Sequence, residues 1–368
     1  MNRPELRQPH TLALALTVAL ALPAAASESE TGAWQLELKR DRHSDSLPLS
    51  AFGHDEWARE LQPRGGRNLN YAEEELRLER RQGDWSLALL ARSSATLVAS
   101  HDSVLLAAQI ERGERPSSDA QWSNDVRLRG FSGVGIEAGR RHNLAPGWRA
   151  GWSAQALVLT RWRQREVNGP VRYDAASGSY DFALHSRELD NKRQFPFQQP
   201  FDARGAGLLL GSELAWEGEQ AFAALALRDG GWLRWSGVPE QQMTLDSAVK
   251  TFDADGFLIY QPLLRGQNSQ AGASRGQPWR TTVQTGWKLD TQRQISASAE
   301  RLPDFGWLPA LQWKQRSGEL EWGLGWKLHE RRATLSLAWQ GWRLRAGTDR
   351  LDGSARSRDL ALSYTQPL

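Results

Sequence analysis

The 368-residue sequence contains no cysteine, which excludes disulfide bonds, thiolate zinc centres and cysteine nucleophiles. Its 46 basic residues are nearly balanced by 43 acidic ones, so it lacks the basic surplus of a dedicated nucleic-acid binder, and no nucleic-acid partner is expected. After the first segment of the chain, no apolar run is long enough for a membrane-spanning helix, which needs about 20 residues. The mature chain is therefore either soluble or crosses a membrane as strands.

The first 26 residues have the pattern of a secretory signal peptide. Arg3 and Arg7 form a basic start, an apolar run covers Leu12 to Leu22, and Ala24 to Ala26 provide a small-residue exit. We expect cleavage after Ala26, which leaves 27–368 as one mature domain. The alternative is an uncleaved anchor, for which the apolar run is short.

Most of the remaining chain alternates between apolar and polar residues. In 320–328, leucine and tryptophan occupy one parity, and Glu, Gly and Lys occupy the other. The segments 279–289 and 333–340 repeat this pattern, and a period of two predicts β-strands. Residues 103–111 could instead form a helical turn, and the sequence leaves that segment open.

The spacing of turn signals predicts about fourteen strands, within a range of 12–16. Tight turns such as 82–83 and 340–341 alternate with long connections at 42–68, 99–123, 167–204 and 238–278. Short turns at one end and long loops at the other are typical of a transmembrane barrel. We therefore predict an all-β fold, a single antiparallel up-and-down transmembrane β-barrel with short periplasmic turns and long extracellular loops. A soluble β-protein remains the structural alternative.

Tryptophan is unusually abundant, at 18 residues against 10 Phe and 5 Tyr. Many of these residues fall near predicted strand ends, where an apolar ring with a polar N–H suits a membrane interface. The following tryptophans are predicted to form aromatic girdles: Trp85, Trp148, Trp216, Trp279, Trp287, Trp313, Trp339 and Trp342.

The last ten residues, 359–368, also alternate, with Leu360, Leu362, Tyr364 and Leu368 on one parity. With the signal peptide and the amphipathic strands, this segment resembles Gram-negative outer-membrane β-barrel proteins. The resemblance implies a location in the cell outer membrane, contact with its lipid, and insertion by the outer-membrane assembly machinery. The chain ends in Leu rather than an aromatic residue, and Pro367 precedes it, which departs from the usual terminal strand.

If leucine and tryptophan face lipid, the opposite parity lines a wet lumen. This assignment predicts a basic wall of Arg127, Arg129, Arg149, Arg161, Arg163, Arg165, Arg343 and Arg345. It also places Glu73, Glu75 and Glu79 in an acidic strip. One interpretation is a set of wall salt bridges of little net stability. The other is a transverse field that selects anionic or zwitterionic solutes.

Three functions follow from this architecture. The first is a porin-like channel for small polar or anionic solutes, because about fourteen strands enclose more lumen than side chains fill. The second is a surface barrel whose long loops bind a partner or polymer. The aromatic segment 194–201 fits either, as an inward constriction or as packing on the barrel rim.

The third function is a hydrolase at the outer rim, which would need a histidine beside a nucleophile. The histidines after the predicted cleavage site are His43, His54, His101, His142, His185 and His329. No G-x-S-x-G motif, phosphate-binding loop or paired-histidine helix accompanies them. We therefore expect no enzyme activity, no cofactor and no resident metal.

Overall fold

A computed structural model describes residues 32–52, 57–192, 204–247, 251–252, 258–259 and 264–368. The predicted signal peptide, His54 and the aromatic segment 194–201 lie outside the described residues. None of the helices among the described residues is long and apolar enough to cross a membrane.

The described residues form twenty strands, most of which match the alternating segments of the sequence. In chain order they are β1 Gly32–Ser44, β2 Arg67–Gln82, β3 Trp85–Ser100, β4 Ala120–Ala145, β5 Trp148–Asp174, β6 Ser179–Asp190, β7 Gly205–Glu217, β8 Ala221–Trp235, β9 Glu240–Asp246, β10 Thr251–Phe252, β11 Leu258–Ile259, β12 Leu264–Ser269, β13 Ala273–Gln277, β14 Arg280–Lys288, β15 Arg293–Leu302, β16 Gly306–Ser317, β17 Leu320–Lys327, β18 Arg332–Trp339, β19 Trp342–Thr348 and β20 Ser357–Pro367.

Fourteen of these strands close a barrel. The ring runs through β1 to β5, β7, β8 and β14 to β20, and the last strand pairs antiparallel with β1. This confirms the predicted all-β, up-and-down barrel and its strand number. The predicted tight turns, such as those after Gln82 and Trp339, all lie at one end, which we call the short-turn end. The opposite end is the long-loop end.

Strands also occur in two segments that were predicted to be loops, 167–204 and 238–278. The barrel strand β5 extends past the ring, where β6 pairs with it, β9 pairs with β6, and β12 pairs with β9. Strand β13 continues the wall beside the outer part of β8. The loop prediction was wrong for these residues. The apolar–polar alternation is weak in β9, β12 and β13, whereas in β6 the alternating Tyr180, Phe182 and Leu184 pack on a buried cluster that includes Trp122 and Tyr173.

A single α-helix, α1 His101–Arg112, lies at the long-loop end among the described residues. Ser100 caps its start by accepting a hydrogen bond from the Ser103 N–H, and Gly113 ends it at a φ of 67°. Val104 and Ala108 pack with Leu47 in a small buried cluster. The segment that the sequence left open is therefore a helix.

The two faces of the barrel wall differ as the sequence predicts. On the outer face, Leu87 and Leu89 of β3 are 58% and 57% exposed, although both are apolar. On the inner face, Glu79 and Glu137 are buried. Directly paired residues lie on the same face of an antiparallel sheet, so this assignment extends to each neighbouring strand.

Six of the eight predicted girdle tryptophans are large exposed side chains, and they lie close to strand ends. Trp216 and Trp313 are half-buried, with ring centroids 6.5 Å from Trp148 and 4.6 Å from Trp322. Trp232 and Trp307 are also exposed, at the long-loop end of the ring. Contact of these rings with a membrane interface stays a prediction.

Candidate functional site: a lumen with two chambers

The outer chamber of the lumen is lined by both basic and apolar side chains. Its basic side chains are Arg127 and Arg129 of β4, Arg275 of β13 and Arg280 of β14. Its apolar side chains include Phe131, beside Arg129 on the inner face of β4, and Trp162 and Leu233. These three belong to a larger buried apolar cluster that also includes Leu157, Leu159, Leu209 and Trp235.

The apolar wall depends on a β-bulge in β5. Ser132 pairs with Arg161 and Gly133 pairs with Leu159, so Thr160 is an extra residue that has no partner on β4. The bulge exchanges the two faces of β5, because one inserted residue reverses the alternation. Trp162 consequently joins Leu159 on the inner face.

Asp304, in the turn between β15 and β16, forms ion pairs with two of the basic side chains of the chamber. Its carboxylate lies 3.3 Å from Arg127 Nη1 and 2.8 Å from Arg129 Nε. In the ring, β4 is separated from β15 by β5, β7, β8 and β14, so these pairs reach across the lumen. Arg127 also lies 3.2 Å from Asp125. The residues that line the chamber include four arginines and two aspartates, Asp229 and Asp304, so the lining keeps an excess of positive charge.

Further ion pairs cross the lumen beneath the outer chamber. Arg92 of β3 donates to Asp229 of β8 at 2.7 Å. Arg280 pairs with Glu73 of β2 and, at 2.7 Å, with Glu300 of β15. Five ring strands separate β2 from β14, so the Arg280–Glu73 pair joins nearly opposite walls of the fourteen-stranded ring. We call this layer the mid-lumen bridge.

A polar inner chamber lies towards the short-turn end. Residues that line it include Glu37, Gln284, Lys314, Glu321, Arg343 and Arg345. Arg345 Nε lies 2.9 Å from the Asp359 carboxylate on the adjacent strand β20. The mid-lumen bridge therefore separates a basic and apolar outer chamber from a mixed-charge inner chamber.

A second polar cluster lies where β1 ends, at the long-loop end. Asp45 Oδ1 is 3.1 Å from His43 Nε2, and Asp45 Oδ2 is 3.1 Å from His329 Nε2. These three residues are the only group in the described part of the chain that could together ligate a metal ion. Arg64 Nη1 lies 2.8 Å from Asp45 Oδ1, so a guanidinium already neutralises this carboxylate.

The environment of Asp45 predicts acid sensitivity. Burial alone would raise its pKa, but hydrogen bonds with His329, His43 and the Leu69 N–H hold the pKa well below its ordinary value of 3.8. A depressed pKa stabilises the folded state at neutral pH, and that contribution is lost as the pH falls below about 4. We expect Asp45→Asn to lower stability at pH 7 by about 3 kcal/mol, since it leaves Arg64 and both histidines without a carboxylate.

The measurement is unfolding in urea, followed on unboiled gels, at pH 7 and at pH 3. The stability difference between wild type and variant should shrink at the lower pH, because the Asp45 carboxyl then binds a proton in the unfolded state, with its ordinary pKa of 3.8, and stays ionised in the folded state. Asp84→Asn is the control, since Asp84 is exposed in the tight turn between β2 and β3. An equal difference at both pH values would contradict the prediction.

The structure distributes the predicted lumen residues over several places. Arg127 and Arg129 line the outer chamber, and Arg343 and Arg345 line the inner one. Arg149 lies near the short-turn end, 3.2 Å from Glu217. The acidic strip of Glu73, Glu75 and Glu79 contacts the basic side chains Arg280, Arg92, Arg77 and Arg81.

For Arg161, Arg163 and Arg165 the lumen prediction was wrong. Gln164 pairs directly with Arg129 and shares its inner face, so the three arginines lie on the outer face. The physical reason is the bulge at Thr160, which the alternation pattern did not reveal. Arg92 and Asp229 were not predicted as lumen residues, although the Asp-Gly-Gly sequence at 229–231 is a signal of irregular backbone.

The described histidines give no support to a serine-type rim hydrolase. Those with ring contacts bond carboxylates, a guanidinium, backbone oxygens or a threonine hydroxyl, as in His185 to Thr244. No hydrogen bond joins a histidine ring to a serine hydroxyl in the part of the chain that the structure describes. The partner-binding alternative and the position of 194–201 stay predictions.

A closed antiparallel ring with an apolar outer face and a charged interior defines an outer-membrane β-barrel. No known protein family matches the chain, and no curated protein is similar to it in sequence. Among solved structures, the P. putida toluene transporter TodX is 8% identical, with a TM-score of 0.41 and coverage of 93% of this chain and 91% of that one.

The translocator domain of the autotransporter NalP from Neisseria meningitidis is also 8% identical, with a TM-score of 0.32 and coverage of 96% of this chain and 93% of that one. A mutant of the Rh. blastica porin is 7% identical, with a TM-score of 0.25 and coverage of 92% and 99%. At these identities the likeness is one of fold alone.

Proposed function

We propose that this barrel is a gated channel for small anionic solutes. The observation that carries the proposal is the stacking of two chambers in one lumen, separated by a layer of ion pairs. Four arginines and two aspartates line the outer chamber, and this excess of positive charge attracts anions. Side-chain ion pairs can exchange partners, so the mid-lumen bridge can open without unfolding the wall.

The apolar lining favours anions that also carry a small apolar part. Phe131 and Trp162 lie beside the arginines, so one solute can place a carboxylate on a guanidinium and its carbon skeleton on the rings. The inner chamber, with Lys314, Arg343 and Glu321, is more hydrophilic and suits release.

Ion selectivity in planar bilayers tests the proposal. The wild-type channel should be anion-selective in a salt gradient, and Arg127→Gln with Arg129→Gln should lower the anion-to-cation permeability ratio by about twofold or more. The matched control is Arg80→Gln with Arg140→Gln. These guanidiniums lie on the outer face of the barrel, over the rings of Trp34 and Trp85, and do not line the lumen.

Two results would contradict the proposal. The first is a barrel that conducts no ions at any applied voltage, even after the bridge variants described in the Discussion. The second is a wild-type channel that prefers cations, or whose selectivity the Arg127 and Arg129 changes leave unaltered.

A further inference from the structure

The outer face carries arginines immediately beyond its apolar residues at the long-loop end. On β1, Leu36 and Leu38 are followed on the same face by Arg40 and Arg42. Strand β20 shows the same order in reverse, because Arg358 precedes Leu360. Arg42 and Arg358 are direct cross-strand partners, so these side chains form one patch. We call Arg40, Arg42 and Arg358 the first arginine patch.

The first arginine patch has an excess of positive charge. Arg40 and Arg42 share a single carboxylate, that of Glu74, at 3.1 Å and 2.5 Å. Their side chains remain 54% and 41% exposed. Arg358 donates to the backbone oxygen of Asp352. Three guanidiniums around one carboxylate leave hydrogen-bond donors for a further anion.

A second patch is the product of the β5 bulge. Beyond the exposed apolar side chain of Val158, the bulge turns Arg161, Arg163 and Arg165 to the outer face, where they form the second arginine patch. Arg161 and Arg163 lie 2.6 Å and 3.7 Å from the carboxylate of Asp190. Arg165 lies 3.8 Å from Glu188.

The second arginine patch is accessible over the adjacent strands β4 and β3, because its neighbours there are small residues. Arg163 is paired across the sheet with Gly130, which in turn pairs with Ala95. Two small residues on adjacent strands leave open surface over which a guanidinium and a flat ligand group can lie. Each patch thus combines three arginines, few acids and an apolar surface directly beneath.

We propose that the two arginine patches bind the phosphate groups of the glycolipid lipid A in the outer leaflet. The planar fork of arginine matches phosphate oxygens bidentately, and a row of guanidiniums can bind more than one phosphate. Acyl chains of the same lipid would lie on the apolar face below, on residues such as Leu38, Leu360 and Val158. The inference rests on the barrel class and is independent of the channel proposal.

Binding of purified lipids to the full-length protein in a neutral detergent tests the inference. The probes are diphosphoryl lipid A, monophosphoryl lipid A and lipid A without phosphate, with tryptophan fluorescence or native mass spectrometry as the readout. Wild type should bind the diphosphoryl form about tenfold or more tightly than the phosphate-free form, as the loss of charge-assisted hydrogen bonds predicts.

Two triple variants assign the site. R40Q/R42Q/R358Q and R161Q/R163Q/R165Q should each weaken binding of diphosphoryl lipid A about tenfold, with little effect on the phosphate-free form. R80Q/R140Q, at the short-turn end of the same face, is the control and should bind as wild type does. Unboiled gel migration establishes that each variant is folded.

Several outcomes would overturn the inference. Equal affinity of wild type for all three lipids would show that acyl chains alone are recognised. Unchanged phosphate preference in both triple variants would place the site elsewhere. Full competition by millimolar inorganic phosphate would identify a site for free anions instead of a lipid.

Discussion

Removal of the Arg280–Glu73 bridge should raise the single-channel conductance of the barrel about tenfold. This pair joins nearly opposite walls, and Arg280 also holds Glu300, so one side chain links three strands across the lumen. The variant is Glu73→Ser with Arg280→Ser, which removes both charges of the pair that crosses the lumen, while Glu300 keeps Arg228 at 3.7 Å. A single change would leave the other charge without its partner and would confuse a gating effect with a folding effect.

The expected increase follows from the width of the ring. A fourteen-stranded barrel encloses more space than its wall side chains fill, so conductance is limited by groups that cross the lumen. Planar-bilayer recordings at fixed salt measure it. Arg345→Ser with Asp359→Ser is the matched control, because this pair joins adjacent strands and runs along the wall. An equal increase in both double variants, or none in either, would contradict a gating role for the bridge.

The partners in the mid-lumen bridge could not be predicted from the sequence, whereas the strands could. The alternation around Trp322 and Leu324 predicted strands, faces and turns because period two and tight turns are local properties. The partners Arg92 and Asp229 are 137 positions apart in the chain. Which inward charges meet across the lumen depends on the closure and stagger of the whole ring. The sequence of a single strand determines neither property.

The bulge in β5 is the second feature that could not be predicted from the sequence. The pattern of Arg161, Arg163 and Arg165 continues the parity of Arg149, and a regular strand would place all four in the lumen. One unpaired residue, Thr160, reverses that result for the three outer arginines. No Gly or Pro marks the bulge, since the sequence there is Leu159-Thr160-Arg161. The same shift creates both the apolar wall of the outer chamber and the second arginine patch.

The strongest stability effect is expected at the buried pair of Arg332 and Asp41. The Arg332 side chain is 0% exposed and donates to both carboxylate oxygens of Asp41, at 2.7 Å and 3.1 Å. Asp41→Asn should reduce the free energy of unfolding by about 3–5 kcal/mol, because it leaves a buried guanidinium without its carboxylate. Urea unfolding, followed by the migration of unboiled protein on gels, measures this change.

The double variant Asp41→Leu with Arg332→Met separates the cost of an unpaired charge from the value of the pair. If the loss in Asp41→Asn comes from the stranded guanidinium, the double variant should recover most of the stability, since apolar replacement of a buried ion pair is often nearly neutral. Lys327 Nζ also lies 3.1 Å from Asp41, so full recovery is not expected. Asp290→Asn, in an exposed turn beside Arg293, should change little. An Asp41→Asn barrel as stable as wild type would show that the Arg332 guanidinium is solvated in the lumen, and the mid-lumen pairs would then have to be treated as wet contacts as well.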